Sequence, residues 1–488
     1  MSQIKVSGLT FSYDGSAETI FDHVSFSLDT DWKLGFVGRN GRGKTTFLKL
    51  LMGEYPYQGS ISSCVECDYF PFDVPDDAAD TLSVLIRVSG GAEEWELMRE
   101  LSLLCVGEDT LSRPFHTLSS GERTKALLAA LFVKEDRFLL IDEPTNHLDV
   151  EGRAVVADYL SHKRGFLLVS HDRAFLDSCV DHILAINKSG FEVVRGNFSV
   201  WQRERDRREA FERGENEKLQ ADIRRLSEAA RRASGWSDEA EAAKIGAGAP
   251  DRGYIGHKSA KMMKRAKSIE ARRQNAIEEK EALLKDVEYN SPLVLRPLIH
   301  HAKRLIEARG LCVRYGEREV FGGLDFTVEP GDRVALTGRN GSGKSSVVKL
   351  MNGEDIPHGG ELRLASGLVV SYVPQDTSFL NGDLMTFARR SNIDVSLFLT
   401  ILRKLDFLRA HFEQDMRTYS MGQHKKVLIA KSLCERAHFY LWDEPLNYID
   451  VLSRMQIEDL LKAYKPTMLF VEHDRAFADA VATKTIRM

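Results

Sequence analysis

The sequence predicts an α/β protein made of two tandem nucleotide-binding domains joined by an α-helical hairpin linker. Three observations predict it. A phosphate-loop motif occurs twice, the motifs that follow it recur in the same order in both halves, and a long charged connector with helical patterning lies between them. The expected boundaries are 1–200 and 304–488 for the domains and 201–303 for the linker.

The two loops are Gly38-Arg39-Asn40-Gly41-Arg42-Gly43-Lys44-Thr45 and Gly338-Arg339-Asn340-Gly341-Ser342-Gly343-Lys344-Ser345. Glycines at these positions let successive backbone N–H groups converge on phosphate oxygens, and the lysine supplies a mobile charge to the β- and γ-phosphates. Thr45 and Ser345 would hold Mg²⁺ through a hydroxyl. Each loop follows an apolar, strand-like run (Leu34–Val37; Val334–Thr337) and opens into a helical pattern, which is the context a phosphate loop needs.

The repeat extends beyond the loops. Tyr13 and Tyr315 precede them in strand-like openings; Ser119 and Ser420, Glu143 and Glu444, and His171 and His473 follow in the same order. The apolar runs before Asp142-Glu143 and Asp443-Glu444 read as buried strands ending in paired carboxylates. The aspartates would bind Mg²⁺ directly or through water, and the glutamates would polarise the attacking water; capping of the next element is the plainer alternative. His171 and His473, each after a short apolar strand (Gly165–Val169; Met468–Val471), would donate a hydrogen bond to the γ-phosphate. Ser119-Ser120-Gly121 and Ser420-Met421-Gly422 precede helical patterns, where a hydroxyl, a bare glycine backbone and a helix N-terminus make an anion site.

Composition bounds the function. With 43% hydrophobic and 28% charged residues the chain is of ordinary globular type, and no apolar run approaches the length of a membrane span. Six cysteines do not form a disulfide framework, and the expected location is the cytoplasm. Cys64 and Cys67 form an isolated C-x-x-C that reads as two small residues in a strand region, not as a metal site. The net charge of −5 hides an asymmetry: residues 201–305 hold 24 Lys and Arg against 18 Asp and Glu, and 251–273 hold eight against two.

Within 201–289, Leu219, Ile223, Leu226, Ala230 and Ala233 make one apolar seam, and Ile269, Ala276, Leu283 and Val287 a facing one. Glycines and a proline break the centre, from Gly235 to Gly256. Two antiparallel helices, each reaching on the order of 50 Å at about 1.5 Å per residue, are expected; a merely solvated linker is the alternative.

Taken together, the motifs of both halves resemble those of the ATP-binding-cassette ATPases. The resemblance implies that Ser119 and Ser420 are the signature serines, each completing the opposite half's site, so that two ATP molecules are sandwiched head to tail and the cassettes of a monomer close on each other. Lys44 and Glu143 would work with Ser420, and Lys344 and Glu444 with Ser119. The implied ATP contacts are Tyr13 and Tyr315, stacked on adenine, with Gly38, Asn40, Gly41, Gly43, Lys44, Thr45, Thr46, Ser119 and Gly121, and Gly338, Asn340, Gly341, Gly343, Lys344, Ser345, Ser346, Ser420 and Gly422. Implied Mg²⁺ ligands are Thr45, Asp142, Ser345, Gln375 and Asp443. Gln375 is the Q-loop glutamine of the second half; the first half has Phe72 there, which cannot ligate Mg²⁺ or hydrogen-bond a γ-phosphate and so predicts unequal hydrolysis.

Tandem cassettes, no membrane segment and a long basic hairpin resemble the ABC-F translation factors, and Trp32-Lys33-Leu34-Gly35, Met263-Lys264-Arg265 and Trp442-Asp443-Glu444-Pro445-Leu446-Asn447-Tyr448 resemble their Lsa-type resistance branch. That resemblance implies binding to the ribosome (rRNA, with tRNA as a further partner), displacement of lincosamides, pleuromutilins and streptogramin A compounds, and release on hydrolysis. Tyr254, Lys258, Lys261, Lys264 and Arg265, with Arg252 and Lys267, are the expected RNA-facing residues, a solvated helix face being the alternative. Trp236 would stack on bases or pack between the arms. A housekeeping ABC-F factor is the nearest rival. Such factors often carry an extra helical arm between Q-loop and signature, and 46 residues from Phe72 to Leu118, against 44 from Gln375 to Tyr419, leave little room for one. A tandem importer ATPase lacks the charged hairpin, and a zinc-bearing repair ATPase fails on the missing Cys and His sets.

Overall fold

The computed structural model describes residues 3–13, 19–74, 76–134, 136–146, 148–187, 190–242, 293–315, 318–339 and 341–488. The chain divides into two compact units, one of Met1–Trp201 with Asn290–Met488, the other of Gln202–Tyr289. Both cassettes lie in the first unit.

Each cassette is layered around a largely parallel sheet. In the first the strand order is Glu66–Phe70, Arg137–Asp142, Phe166–Val169, Lys33–Gly38, His182–Asn187, Gly190–Arg195, with only the last pair antiparallel. In the second it is Val370–Val373, Phe439–Asp443, Met468–Val471, Arg333–Thr337, Lys484–Arg487, all parallel. Strands such as Phe166–Val169 and Phe439–Asp443 are buried along their whole length, which is why they read as continuous apolar runs without alternation. An antiparallel three-stranded sheet adds the opening strand of each cassette: Thr19–Asp29, Gln3–Ser12, Gln58–Ser62 in the first, Arg318–Val328, Ile306–Tyr315, His358–Leu364 in the second. In both parallel sheets the phosphate-loop strand is central and lies next to the strand that precedes the histidine, so loop, carboxylates and histidine emerge at the strands' carboxyl ends, where open α/β sheets bind ligands.

The cassettes touch through core as well as surface. Val451 and Leu452, at the start of the second cassette's helix Val451–Tyr464, are buried in the first cassette's hydrophobic cluster with Leu148 and Phe175. Leu293 and Leu295 are buried in the second cassette's core, and Leu298 N–H donates to Ala437 O at 2.8 Å.

The connector begins as one helix, Phe198–Ala242, 45 residues long, with Phe198 and Trp201 buried at its start. Gly235, expected to open the central loop, lies inside this helix instead. A single interior glycine costs only about 1 kcal/mol relative to alanine, and the Ala and Glu residues after it are strong helix formers. The returning arm with its seam, and Tyr254, Lys258, Lys261, Lys264 and Arg265, lie outside the described residues, as do Asn340 and the side chain of Tyr315. Among the described residues no helix is long and apolar enough to cross a membrane.

Candidate functional site: two opposed nucleotide sites

Each phosphate loop ends on a glycine that only a Cβ-free residue can fill. Gly43 and Gly343 sit at φ 89° and 96°, and an added Cβ would fall 2.6 Å from Ile20 and from Phe321 respectively. They cap the helices Lys44–Leu51 and Lys344–Met351. Lys44 Nζ donates to Gly38 O (2.8 Å), Arg39 O (3.1 Å) and Asn40 Oδ1 (3.3 Å). Lys344 Nζ donates to Gly338 O and Arg339 O, both at 2.9 Å. Both ammonium groups are therefore folded over the loop that would hold phosphate, and burial lowers the pKa of each.

The strands end at Asp142 and Asp443, and the glutamates that follow turn out of them in the left-handed region, at φ 51° for Glu143 and 46° for Glu444. A non-glycine residue held there costs on the order of 1 kcal/mol or more, a strain that points each side chain away from the sheet and into the cavity. Thr45 Oγ1 donates to Asp142 Oδ2 at 2.9 Å, and Tyr69 Oη donates to the same oxygen at 3.1 Å. Burial raises both aspartates, Asp443 up to about 6.

The two glutamates differ sharply. Glu444 Oε2 accepts from Gln375 Nε2 and Asn447 Nδ2, each at 2.8 Å, and His473 Nε2 lies 3.3 Å from Oε1. Burial pushes this carboxyl up, but the His473 and Gln375 contacts outweigh it and hold it below the usual range. Among the described residues no side-chain donor bonds either oxygen of Glu143; His171 Nε2 is 3.2 Å from Oε1 without the alignment of a hydrogen bond, and the His171 backbone N–H is the one group that favours the carboxylate from the main chain. Burial first, and then the neighbouring Asp142, push Glu143 up to about 8. His171 itself is held well below its usual value, first by burial and then by Lys44 and Arg454. Phe72 packs against the first cassette's core, where it has no polar atom to offer.

Ser119 and Ser420 are helix N-caps with full capping boxes. Ser119 Oγ accepts from Glu122 N–H (3.2 Å) while Glu122 accepts from Ser119 N–H (2.8 Å); Ser420 and Gln423 repeat this at 3.3 and 2.8 Å. Their partners are across the molecule. A cavity of ≈ 1230 Å³ is lined by Ser119, Gly121, Lys344, Gln375, Glu444 and His473. A second, of ≈ 450 Å³, is lined by Tyr13, Lys44, Glu143, His171, Ser420 and Gly422. Tyr13 is 40% exposed, meets Tyr55 edge-on and shares a hydrogen bond of 2.8 Å with Thr46.

Several contributors carried no recognisable motif. Arg153 donates to Leu148 O (3.1 Å), to Asp172 Oδ2 (3.0 Å) and, across the interface, to His473 O (3.3 Å). Arg454 repeats the first two contacts with Ile449 O and Asp474. Lys425 Nζ donates to Pro374 O (3.1 Å) and Gln375 O (2.9 Å), fixing the Q-loop backbone. The duplication was the available signal, since Arg153 and Arg454 occupy matching positions after Asp149 and Asp450.

Two phosphate loops, each facing the other half's serine–glycine turn, define a tandem cassette ATPase. The family model described as ABC transporter matches residues 21–146 and 321–447, about half of the chain. The ribosome protection protein VmlR of Bacillus subtilis is 28% identical over 96% of this chain and 84% of its own. The ATP-binding protein Uup of Caulobacter vibrioides is 29% identical over 97% and 75%. In fold, the chain is similar to the archaeal ribosome recycling factor aABCE1, solved with ribosomal stalk protein aP1, at a TM-score of 0.64, 21% identity and coverage of 98% and 87%. The chain belongs to the ABC ATPase family and, within it, to the ABC-F proteins; it is an ATP-hydrolysing enzyme.

Proposed function

We propose that this protein is a cytoplasmic, ribosome-binding ABC-F ATPase that dislodges drugs of the lincosamide, pleuromutilin and streptogramin A type from the peptidyl-transferase centre, with ATP hydrolysis driving its release. The observation that carries this reading is the similarity to VmlR along nearly the whole chain. The pairing of each phosphate loop with the opposite serine supports a monomer whose cassettes close on two ATP molecules. Tyr13 and Tyr315 would meet adenine. The two loops with Thr46 and Ser346, and the Ser119–Gly121 and Ser420–Gly422 turns, would hold the phosphates. Glu143 and Glu444 would act as general bases, with His171 and His473 orienting the water.

Mg²⁺ would be held by Thr45 and Asp142 at one site and by Ser345, Gln375 and Asp443 at the other. Among the described residues Asp443 Oδ1 is buried without a hydrogen-bond partner, and such an oxygen suits a divalent cation. When bound, the ion would neutralise charge on the β- and γ-phosphates. The basic residues Lys258, Lys261, Lys264 and Arg265, with Tyr254, are our proposed contacts to rRNA, and tRNA is a further partner.

A housekeeping role in translation is the second reading: the chain is as similar to Uup, named only as an ATP-binding protein, as it is to VmlR. Against an extra arm in the first cassette, Thr81–Ser89 and Glu94–Leu103 are the only α-helices described between Phe72 and Leu118, and Leu384–Arg390 and Val395–Lys404 match them in the second. The test is drug susceptibility of a sensitive Gram-positive host expressing the chain, beside its Glu143→Gln/Glu444→Gln variant, together with ribosome sedimentation. The expected result is raised tolerance with the wild type alone and accumulation of the variant on ribosomes with ATP. A variant that sediments free of ribosomes would sink both readings; binding without tolerance would favour the housekeeping one.

A further inference from the structure

The two nucleotide sites are tied to the opposite cassette by different chemistry. At the Lys44 site, Arg39 Nη1 and Arg42 Nη2 of the phosphate loop approach Asp406 Oδ1 of the second cassette at 3.7 and 3.8 Å. These side chains are 7, 25 and 19% exposed, so the attraction is only partly screened by water. Between the two arginines, Asn40 Nδ2 donates to Tyr448 O at 2.8 Å, again across the interface. Gly422 closes the same contact: a Cβ there would stand 2.4 Å from Tyr448 O and 3.1 Å from Asn40 Nδ2. One face of the first phosphate loop is thus held by the second cassette.

At the Lys344 site the counterpart of Asp406 is Cys105. The turns are the same: Cys105 (φ 53°) and Asp406 (φ 68°) follow the matching helices Glu94–Leu103 and Val395–Lys404, and their N–H groups donate to Ser102 O and Arg403 O at 3.0 Å. Only the side chain has changed, from a carboxylate to a thiol. Arg42 is matched by Ser342, and Arg339 leans away to Glu151 at 3.0 Å, in a pair 77 and 71% exposed. An ion pair that open to solvent contributes little.

We propose that Asp406 is a positioning residue of the Lys44 site, acting in trans through Arg39 and Arg42 to make it the nucleotide-retaining site while the Lys344 site exchanges. The inference rests on the composite-site reading above and adds a direction to it. Asp406 follows helix Val395–Lys404, which packs on the helix Met421–Cys434 that Ser420 caps, so the latch also holds the signature turn of the second cassette against the first phosphate loop. Unequal hydrolysis, expected from Phe72, then has a binding counterpart: the site lacking a Q-loop glutamine is the site held shut.

The test uses the full chain carrying Glu143→Gln and Glu444→Gln, so that bound nucleotide is not consumed. It is loaded with a fluorescent ATP analogue and Mg²⁺ and chased with unlabelled ATP. Two release phases are expected, and Lys44→Ala should remove the slower. Asp406→Ala should accelerate the slow phase about tenfold, in keeping with loss of a partly buried charge pair, and leave the fast phase unchanged; Asp406→Glu should restore it. Conversely, Cys105→Asp with Ser342→Arg builds the latch at the other site and should slow the fast phase. An Asp406→Ala variant that moves both phases equally, or neither, overturns the latch while leaving two composite sites standing. If that variant does not fold, a fast phase unmoved by the Cys105→Asp/Ser342→Arg change overturns it instead. A single phase that survives Lys44→Ala overturns the two-site reading itself.

Discussion

Gln375 Nε2 stands 2.8 Å from Glu444 Oε2, and among the described residues no equivalent side-chain donor reaches Glu143. The equivalent position in the first cassette is Phe72, whose ring packs into the core. A carboxylate is oriented by the donors that surround it. Both share the left-handed backbone, but Glu444 has two amides and an imidazole, whereas Glu143 has an imidazole without hydrogen-bond alignment.

The Gln375 contact should therefore matter to turnover at one site only. In a Glu143→Gln background, where the Lys344 site does the work, Gln375→Leu should lower the rate of phosphate release by roughly 10- to 100-fold, the scale for losing one oriented polar group. In a Glu444→Gln background the same change should do little. Equal losses in both backgrounds would mean that the Q-loop acts through overall folding.

The second cassette carries a buried ion pair, Lys426 Nζ to Asp450 Oδ2 at 2.8 Å, with side chains only 4 and 0% exposed. Burial drives the Asp450 carboxyl up, but Lys426 outweighs it and holds the group far below the usual range. Asp450 also caps the helix Val451–Tyr464 through Ser453 N–H. Lys426→Met leaves that charge buried without its partner and should cost about 3–5 kcal/mol, read by chemical denaturation. The double change Lys426→Met/Asp450→Asn should recover much of the loss.

Glu100 gives a pH signature in the first cassette. It is 2% exposed, accepts from Tyr159 Oη at 2.6 Å and pairs with Lys163 Nζ at 2.5 Å. Burial raises its pKa, but the Lys163 and Tyr159 bonds outweigh that and hold it below the ordinary value of 4.5. A depressed carboxyl stabilises the fold above its unfolded pKa and loses that contribution as pH falls through the folded value. Glu100→Gln should thus lower the Tm at pH 7 and narrow its gap to wild type as pH drops below about 4. A gap of constant size from pH 7 to pH 3 would show that packing, and not ionisation, is what the substitution removes.

Much of this architecture was legible because it is duplicated. Phosphate loops, strand-end aspartates and histidines have local chemistry that survives translation into sequence, and each appears in the position its motif implied. The contacts that distinguish the two sites were not legible. Asp406 and Cys105 sit in identical turns far along the chain from Arg39 and Ser342, and only the docking of one cassette on the other brings them to the loops. The left-handed backbone at Glu143 and Glu444 likewise has no sequence signal, since glutamate rarely adopts it. Gly235 misled for the opposite reason: a glycine in a long helix-forming stretch is a weak local cost that neighbours override.

The signature serines pose a question of role that one substitution series answers. Ser420 caps its helix by accepting from Gln423 N–H, and it also lines the cavity of Lys44. Ser420→Ala removes both functions and costs about 1 kcal/mol of stability through the cap alone, so its effect on nucleotide binding is ambiguous. Ser420→Asp separates them. Aspartate caps as well as serine, so the melting temperature should stay within about 1–2 °C of wild type for a chain of this size. Its negative charge, however, would face the phosphate groups held by the Lys44 loop. Labelled ATP should then lose the slowly released fraction while the fraction at Lys344 remains, and Ser119→Asp should show the reverse pattern. Retention of both fractions in Ser420→Asp would reduce the serine to a helix cap.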